Sequence, residues 1–115
     1  MVGPISALAM ATYWRRTCQG KEWKTRFPTA PASEIRKFLQ IFAHAFGLPT
    51  REYLQFSPED KLSEIYNLLT PMGSDSLEYE HLDKFIQHHY KLPLVQVWHP
   101  ALTLGELFAA LRFAP

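Results

Sequence analysis

A lone cysteine, Cys18, is all the thiol chemistry in this 115-residue chain. That excludes an internal disulfide framework and any cysteine-rich zinc site, and makes a reducing, cytoplasmic setting the expected one. Charge of one sign is equally scarce, because 12 Lys and Arg meet 11 Asp and Glu for a net of +1. The bulk composition therefore carries no signal for nucleic acid or for an anionic membrane surface. No long hydrophobic run is present either. Ile5 to Trp14 is apolar over about ten residues, whereas a membrane-spanning helix needs roughly 20. With no basic residue ahead of it and no convincing small-residue cleavage site, neither a span nor a signal peptide is expected. Repeats and low-complexity tracts are also missing. What is there, 47% hydrophobic and 20% charged residues, suits one globular domain with a modest core.

The near-neutral total conceals an asymmetry. Up to Ala30, Arg15, Arg16, Lys21, Lys24 and Arg26 face Glu22 alone, a balance of +4, while from Pro31 onward seven basic residues meet ten acidic ones, a balance of −3. Tyr13, Trp14, Trp23 and Phe27 alternate with the cations of the first part. Rings that stack on bases beside cations that meet phosphates make a nucleic-acid-binding surface. The same mixture also serves an arm whose rings dock on a core while its charged heads reach water, and docking is the simpler expectation. Pro28 and Pro31 with the small residues between them read as a linker. The expected division is a basic aromatic extension at 1–30 and a helical domain at 31–115.

Four helices are expected in that domain. Ser33 is an N-cap candidate, Glu34 suits the first turn, and Ile35, Phe38, Leu39, Phe42, Ala45 and Phe46 recur at i, i+3, i+4 spacing before Gly47 and Pro49 end the helix. His44 beside that stripe reads as packing. Ser57, Pro58 and Asp60 supply an N-cap, a first-turn proline and a capping-box acid ahead of Leu62, Ile65, Tyr66 and Leu69. A turn at Thr70 to Ser74 leads to Asp75, an N-cap with Glu78 completing its capping box, and to a helix from Ser76 to Tyr90 with Tyr79, Leu82, Phe85, Ile86 and Tyr90 on one face. Leu94 to Trp98 lacks a sheet to join and reads as a buried connector. Thr103 with Glu106 caps a final helix whose apolar face is Leu104, Leu107, Phe108 and Leu111. The fold class is all-α, a small four-helix bundle.

Ser76 is the residue around which this arrangement turns. It falls at the first helical position, where a hydroxyl faces solvent and a phosphodiester built on it would meet unpaired backbone N–H groups and the positive end of the helix dipole.

The stretch Gly73 to Leu94, GSDSLEYEHLDKFIQHHYKLPL, resembles the acyl carrier proteins and peptidyl carrier domains, whose signature is Gly, a variable residue, Asp, Ser, Leu at the start of their second helix. Leu82, Phe85 or Ile86 and Tyr90 match that helix's core positions, Leu92 to Leu94 its following turn, and Thr103, Leu104 and Leu107 the last helix. The resemblance covers Pro31 to Arg112. It implies an acyl-carrier-protein-like fold in which Ser76 is esterified by 4'-phosphopantetheine, a long arm ending in a thiol that holds acyl or aminoacyl intermediates as thioesters. It further implies that Asp75 caps the helix and positions the metal ion of the attaching enzyme, that Leu77 is a partner contact, and that Glu78, Glu80 and Asp83 draw in partners. Those partners would be a phosphopantetheinyl transferase and the acyl-transferring or condensing enzymes of fatty acid or polyketide biosynthesis. Such a protein is a carrier and not itself an enzyme.

Three features depart from the family. The helix expected at Ser57 to Leu69 stands where carriers have a loop, so it is an extra helix before the Ser76 helix. The extension at 1–30 has no counterpart. His81, Lys84, His88 and His89 dilute the acidic face of the Ser76 helix, which points to a specialised partner. Two other readings come from the residues alone. One is an unmodified helical module that holds a protein or nucleic acid through the basic arm, the latter being the less expected partner. The other is a metal site from Glu78, His81 and His88 or His89, disfavoured because histidines along a solvated helix face seldom converge.

Overall fold

Helices dominate the computed structural model, which describes residues 13, 15–48, 50–69 and 77–112. In order these are α1 (Gly20–Arg26), α2 (Ala32–Ala45), a 3-10 segment (Thr50–Gln55), α3 (Leu62–Leu69), α4 (Leu77–Tyr90), a 3-10 turn (Leu94–Gln96) and α5 (Leu104–Arg112). Among the described residues there is no strand, only an isolated bridge between Lys61 and Thr103, and no helix long and apolar enough to cross a membrane. The protein is thus a small all-α bundle. Among the described residues the four expected helices are present, and α1 is one more.

The expected apolar faces are the buried ones. Ile35, Phe38, Leu39, Phe42 and Ala45 of α2, Leu62 and Ile65 of α3, Leu82 and Ile86 of α4, and Leu104, Leu107, Phe108 and Leu111 of α5 form one core. Helices α2 and α4 run antiparallel, since His44 stacks near Phe85 and Phe46 meets Tyr79, while Lys37 lies over Tyr90 at the other end.

Glycine 47 ends α2 as its type predicts. Its φ of 69° is left-handed, and the N–H groups of Gly47 and Leu48 donate to His44 and Ala43 at 3.1 and 2.8 Å, which closes the last turn on itself. The start of α2 differs from expectation. Pro31 is the N-cap, with extended φ and ψ and no side-chain cap bond. Ser33 lies inside the first turn, where its hydroxyl has no terminal amide to receive.

The largest revision concerns Ser57 to Asp60. The two side chains bond as a capping box would, Ser57 N–H to Asp60 Oδ2 at 2.8 Å and Glu59 N–H to Ser57 Oγ at 3.1 Å, yet they close a turn and α3 starts only at Leu62. The reason is tertiary. The carbonyls of Pro58 and Asp60 accept the N–H groups of Gly105 and Leu104 at 2.8 and 2.9 Å. These carbonyls are aimed at the first turn of α5 instead of along a helix axis of their own. The gain falls to α5, where Thr103 and Glu106 form the expected capping box, Thr103 N–H to Glu106 Oε1 at 2.9 Å and Glu106 N–H to Thr103 Oγ1 at 3.1 Å. Every first-turn amide of α5 is therefore satisfied.

Of the aromatic residues in the first thirty positions, Tyr13, Trp23 and Phe27 are core residues, and Trp14 lies outside the described residues. Trp23 is 0% exposed. Its ring lies 5.8 Å edge-on from Phe108, 6.0 Å from Phe38 and 5.9 Å from Phe27, and its indole N–H donates to the Phe56 carbonyl at 2.8 Å. Tyr13 packs 5.5 Å from Phe56. Burial of so much ring surface, worth roughly 2–3 kcal/mol per side chain, makes residues 13–30 part of the same core as the helices after Pro31.

Candidate functional site

Three of the expected site positions, Gly73, Asp75 and Ser76, lie outside the described residues, and helix α4 opens at Leu77, the next residue in the chain. The remaining ones lie along α4. Glu78 is half-buried, and its Oε2 is enclosed with no hydrogen-bond partner among the described residues; the amide that a capping box assigns to it is that of Asp75. Glu80 is exposed. Asp83 is engaged within the fold: Oδ1 accepts the Leu94 N–H at 2.8 Å and Oδ2 accepts from Gln87 Nε2 at 2.9 Å. One carboxylate therefore clamps the Leu94–Gln96 turn against α4, leaving Glu80 as the acid of this face that is free to meet a partner in water.

That clamp builds a groove along the first two turns of α4. Its volume is about 340 Å³, and Tyr79, Leu94, Val95 and Trp98 line it beside Glu80 and Asp83. Tyr79 is the floor. Its ring meets Trp98 at 4.9 Å, Tyr66 at 4.4 Å and Phe46 at 5.8 Å, and burial, with a smaller contribution from Tyr66, pushes its pKa up to about 12. The phenol is neutral at physiological pH, so the groove floor is uncharged.

Sequence reasoning missed the groove's outer wall. Leu94 to Trp98 reads as a buried connector, yet only Leu94 is buried, while Val95 is 81% and Trp98 38% exposed. The signal is the period. With three residues per turn, a 3-10 segment aligns Val95 with Trp98 on one edge and Leu94 with Val97 on the other. A proline just ahead of this largely apolar run is the hint that such a turn, and not a straight run, follows.

Three of the five cations of the basic arm are engaged within the fold, while Arg15 and Lys21 are exposed. Arg16 pairs with Asp60, Arg26 with Glu59, and Lys24 Nζ donates to the Ala30 carbonyl at 2.7 Å. The ring faces of Tyr13, Trp23 and Phe27 are buried, so they offer no stacking platform for bases. Among the described residues no three His, Cys, Asp or Glu side chains come together as a metal site would require. His88 and His89 meet edge to face at 4.9 Å and remain exposed.

No family model matches the chain, and neither a curated protein nor a solved structure is similar to it.

Proposed function

We propose that this protein is a carrier that holds acyl or aminoacyl intermediates on a phosphopantetheine arm esterified to Ser76. The observation that carries the reading is the motif's place in the chain: Gly-Ser-Asp-Ser-Leu leads into α4, described from Leu77 onward, whose first turns bear an apolar groove. On the sequence expectation that Ser76 stands at the first position of that helix, unpaired N–H groups and a positive dipole end favour a phosphodiester on its hydroxyl.

The residues alongside fit such a group. The arm is long, uncharged beyond its phosphate and partly apolar, and the groove offers the Trp98 ring, the neutral Tyr79 phenol and the Val95 side chain. When attached, the arm supplies a terminal thiol whose acyl thioester is reactive toward a partner enzyme. In this reading the chain itself does no chemistry. Ser76 anchors, Asp75 caps the helix and orients the attaching enzyme's metal ion, Leu77 and Glu80 meet partners, and Asp83 keeps the groove wall in place. Phosphopantetheinyl transferase and acyl-transferring or condensing enzymes are the partners it implies, in a reducing cytoplasm.

Co-expression with a broad-specificity phosphopantetheinyl transferase, followed by intact-mass spectrometry, tests this. The expected result is a protein heavier by one phosphopantetheine, with the gain abolished in Ser76→Ala. A mass unchanged in the presence of active transferase and coenzyme A would refute it.

A further inference from the structure

The other flank of α4 carries a second groove, which the carrier reading does not use. On a helical projection Phe85 and His89 fall on the opposite side of the buried Leu82–Ile86 line from Glu80 and Asp83, so this groove and the Trp98 groove face different ways. It lies between α2 and α4 and has a volume of about 460 Å³, in the range of small-molecule sites.

Ile41 and Phe85 form its apolar floor, and Lys37, Gln40, His44 and His89 its rim. Lys37, Gln40, Ile41 and His44 follow one face of α2 over about 10 Å. The His44 ring sits 5.2 Å from that of Phe85, and the Lys37 ammonium lies 5.9 Å from the Tyr90 ring, so both ends of the rim are fixed by aromatic neighbours.

Every polar group on this rim can donate a hydrogen bond, and none is a carboxylate. The charged or titratable groups around it are Lys37 and His44 on α2, His88 and His89 on α4, and Lys91 just past α4. Glu34, one turn before Lys37, is held by Arg112 of α5 at 3.2 Å. Among the described residues no ion pair joins Lys37, His44 or His89 to an acid. Burial first, and then the positive charge of Lys37 and Lys91 with the neighbouring His88, hold the His89 pKa below its ordinary value.

We propose that this groove binds a small amphipathic anion, a carboxylate or phosphate monoester carried on an aromatic ring, with the anion between Lys37 and His89 and the ring over Ile41 and Phe85. An ammonium and histidine N–H groups serve either anion, and an apolar floor between two helices rewards a flat body that an inorganic ion lacks. The site is independent of Ser76 and of the carrier reading.

Titration of the full-length protein with phenyl phosphate, followed by two-dimensional amide NMR, tests the proposal, with benzoate, inorganic phosphate and phenol as comparison probes. Saturable shifts at Lys37, Gln40, Ile41, His44, Phe85 and His89 are expected. Phenyl phosphate or benzoate, whichever anion fits, should bind at least tenfold tighter than inorganic phosphate or phenol. The His89 pKa should rise on binding, and Lys37→Met, checked for unchanged Tm, should weaken binding about fivefold or more. Shifts that match those from inorganic phosphate, shifts confined to the Trp98 face, or affinity unchanged in Lys37→Met would each overturn it. Gln40→Glu, which puts a carboxylate on the rim, should also weaken binding, and unchanged affinity there counts against the site in the same way.

Discussion

Arg16 and Asp60, 44 positions apart in the chain, are joined by two parallel hydrogen bonds, Nη1 to Oδ2 at 2.7 Å and Nη2 to Oδ1 at 2.9 Å. The carboxylate is 8% exposed and also receives the Ser57 N–H, and its hydrogen bond raises the Arg16 pKa above the ordinary value. One paired fork thus ties the first thirty residues to the turn that in turn caps α5.

Arg16→Met is expected to cost about 2 kcal/mol, because it leaves a nearly buried carboxylate with a single backbone donor. Urea unfolding checks this. A double-mutant cycle with Asp60→Asn should show coupling of more than about 1 kcal/mol between the two sites.

Trp23→Ala should destabilise by about 3–5 kcal/mol, the usual cost of emptying a fully buried aromatic site, and here it also removes the indole N–H donor to the Phe56 carbonyl. Deleting residues 1–27 should do at least as much damage, exposing Phe38 and Phe108 together. Circular dichroism melts would show a folded, unchanged remainder if the extension were instead a free arm.

Gly105→Ala tests the contact that sets the start of α3. A Cβ there would lie 2.9 Å from both the Cβ and the carbonyl oxygen of Pro58, and the backbone oxygen cannot move without breaking the Gly105 N–H bond that it accepts. A loss of about 2 kcal/mol is expected. In Gly47→Ala the space is open and the penalty is the left-handed φ alone, about 1 kcal/mol. Differential scanning calorimetry should rank the two in that order.

Tyr79 predicts an alkaline weakness. Its folded-state pKa of about 12 exceeds the ordinary 10.0, so between those values the unfolded chain has released the phenolic proton while the folded one retains it. Stability is full below pH 10 and falls as pH rises toward 12. Tyr13 and Tyr90 are raised as well and act in the same sense. Tyr79→Phe keeps the ring and should flatten part of this decline, read from denaturant midpoints at pH 9 and 11.

Much of this architecture is legible in residue order. Periodic apolar positions placed the faces of α2, α4 and α5, the Thr103 and Glu106 pair placed the α5 cap, and Gly47 placed the end of α2, because each depends on neighbours within one or two turns. The Val95 and Trp98 wall was less legible, since four apolar residues in a run of five, Leu94 to Trp98, do not reveal whether their period is two or three.

The amino-acid sequence by itself determined the apolar faces of α2, α4 and α5, the end of α2, the cap of α5, and the Gly73–Leu77 motif on which the carrier proposal rests, since hydrogen bonds to near neighbours and side-chain spacing suffice for these. Only the tertiary structure decided that Trp23 belongs to the core, that Ser57 to Asp60 serve α5 instead of starting α3, and that α4 has an apolar groove on one flank and a donor-rimmed groove on the other. Those outcomes hang on contacts between residues tens of positions apart, where a carbonyl or a ring takes whichever partner the packed chain brings to it.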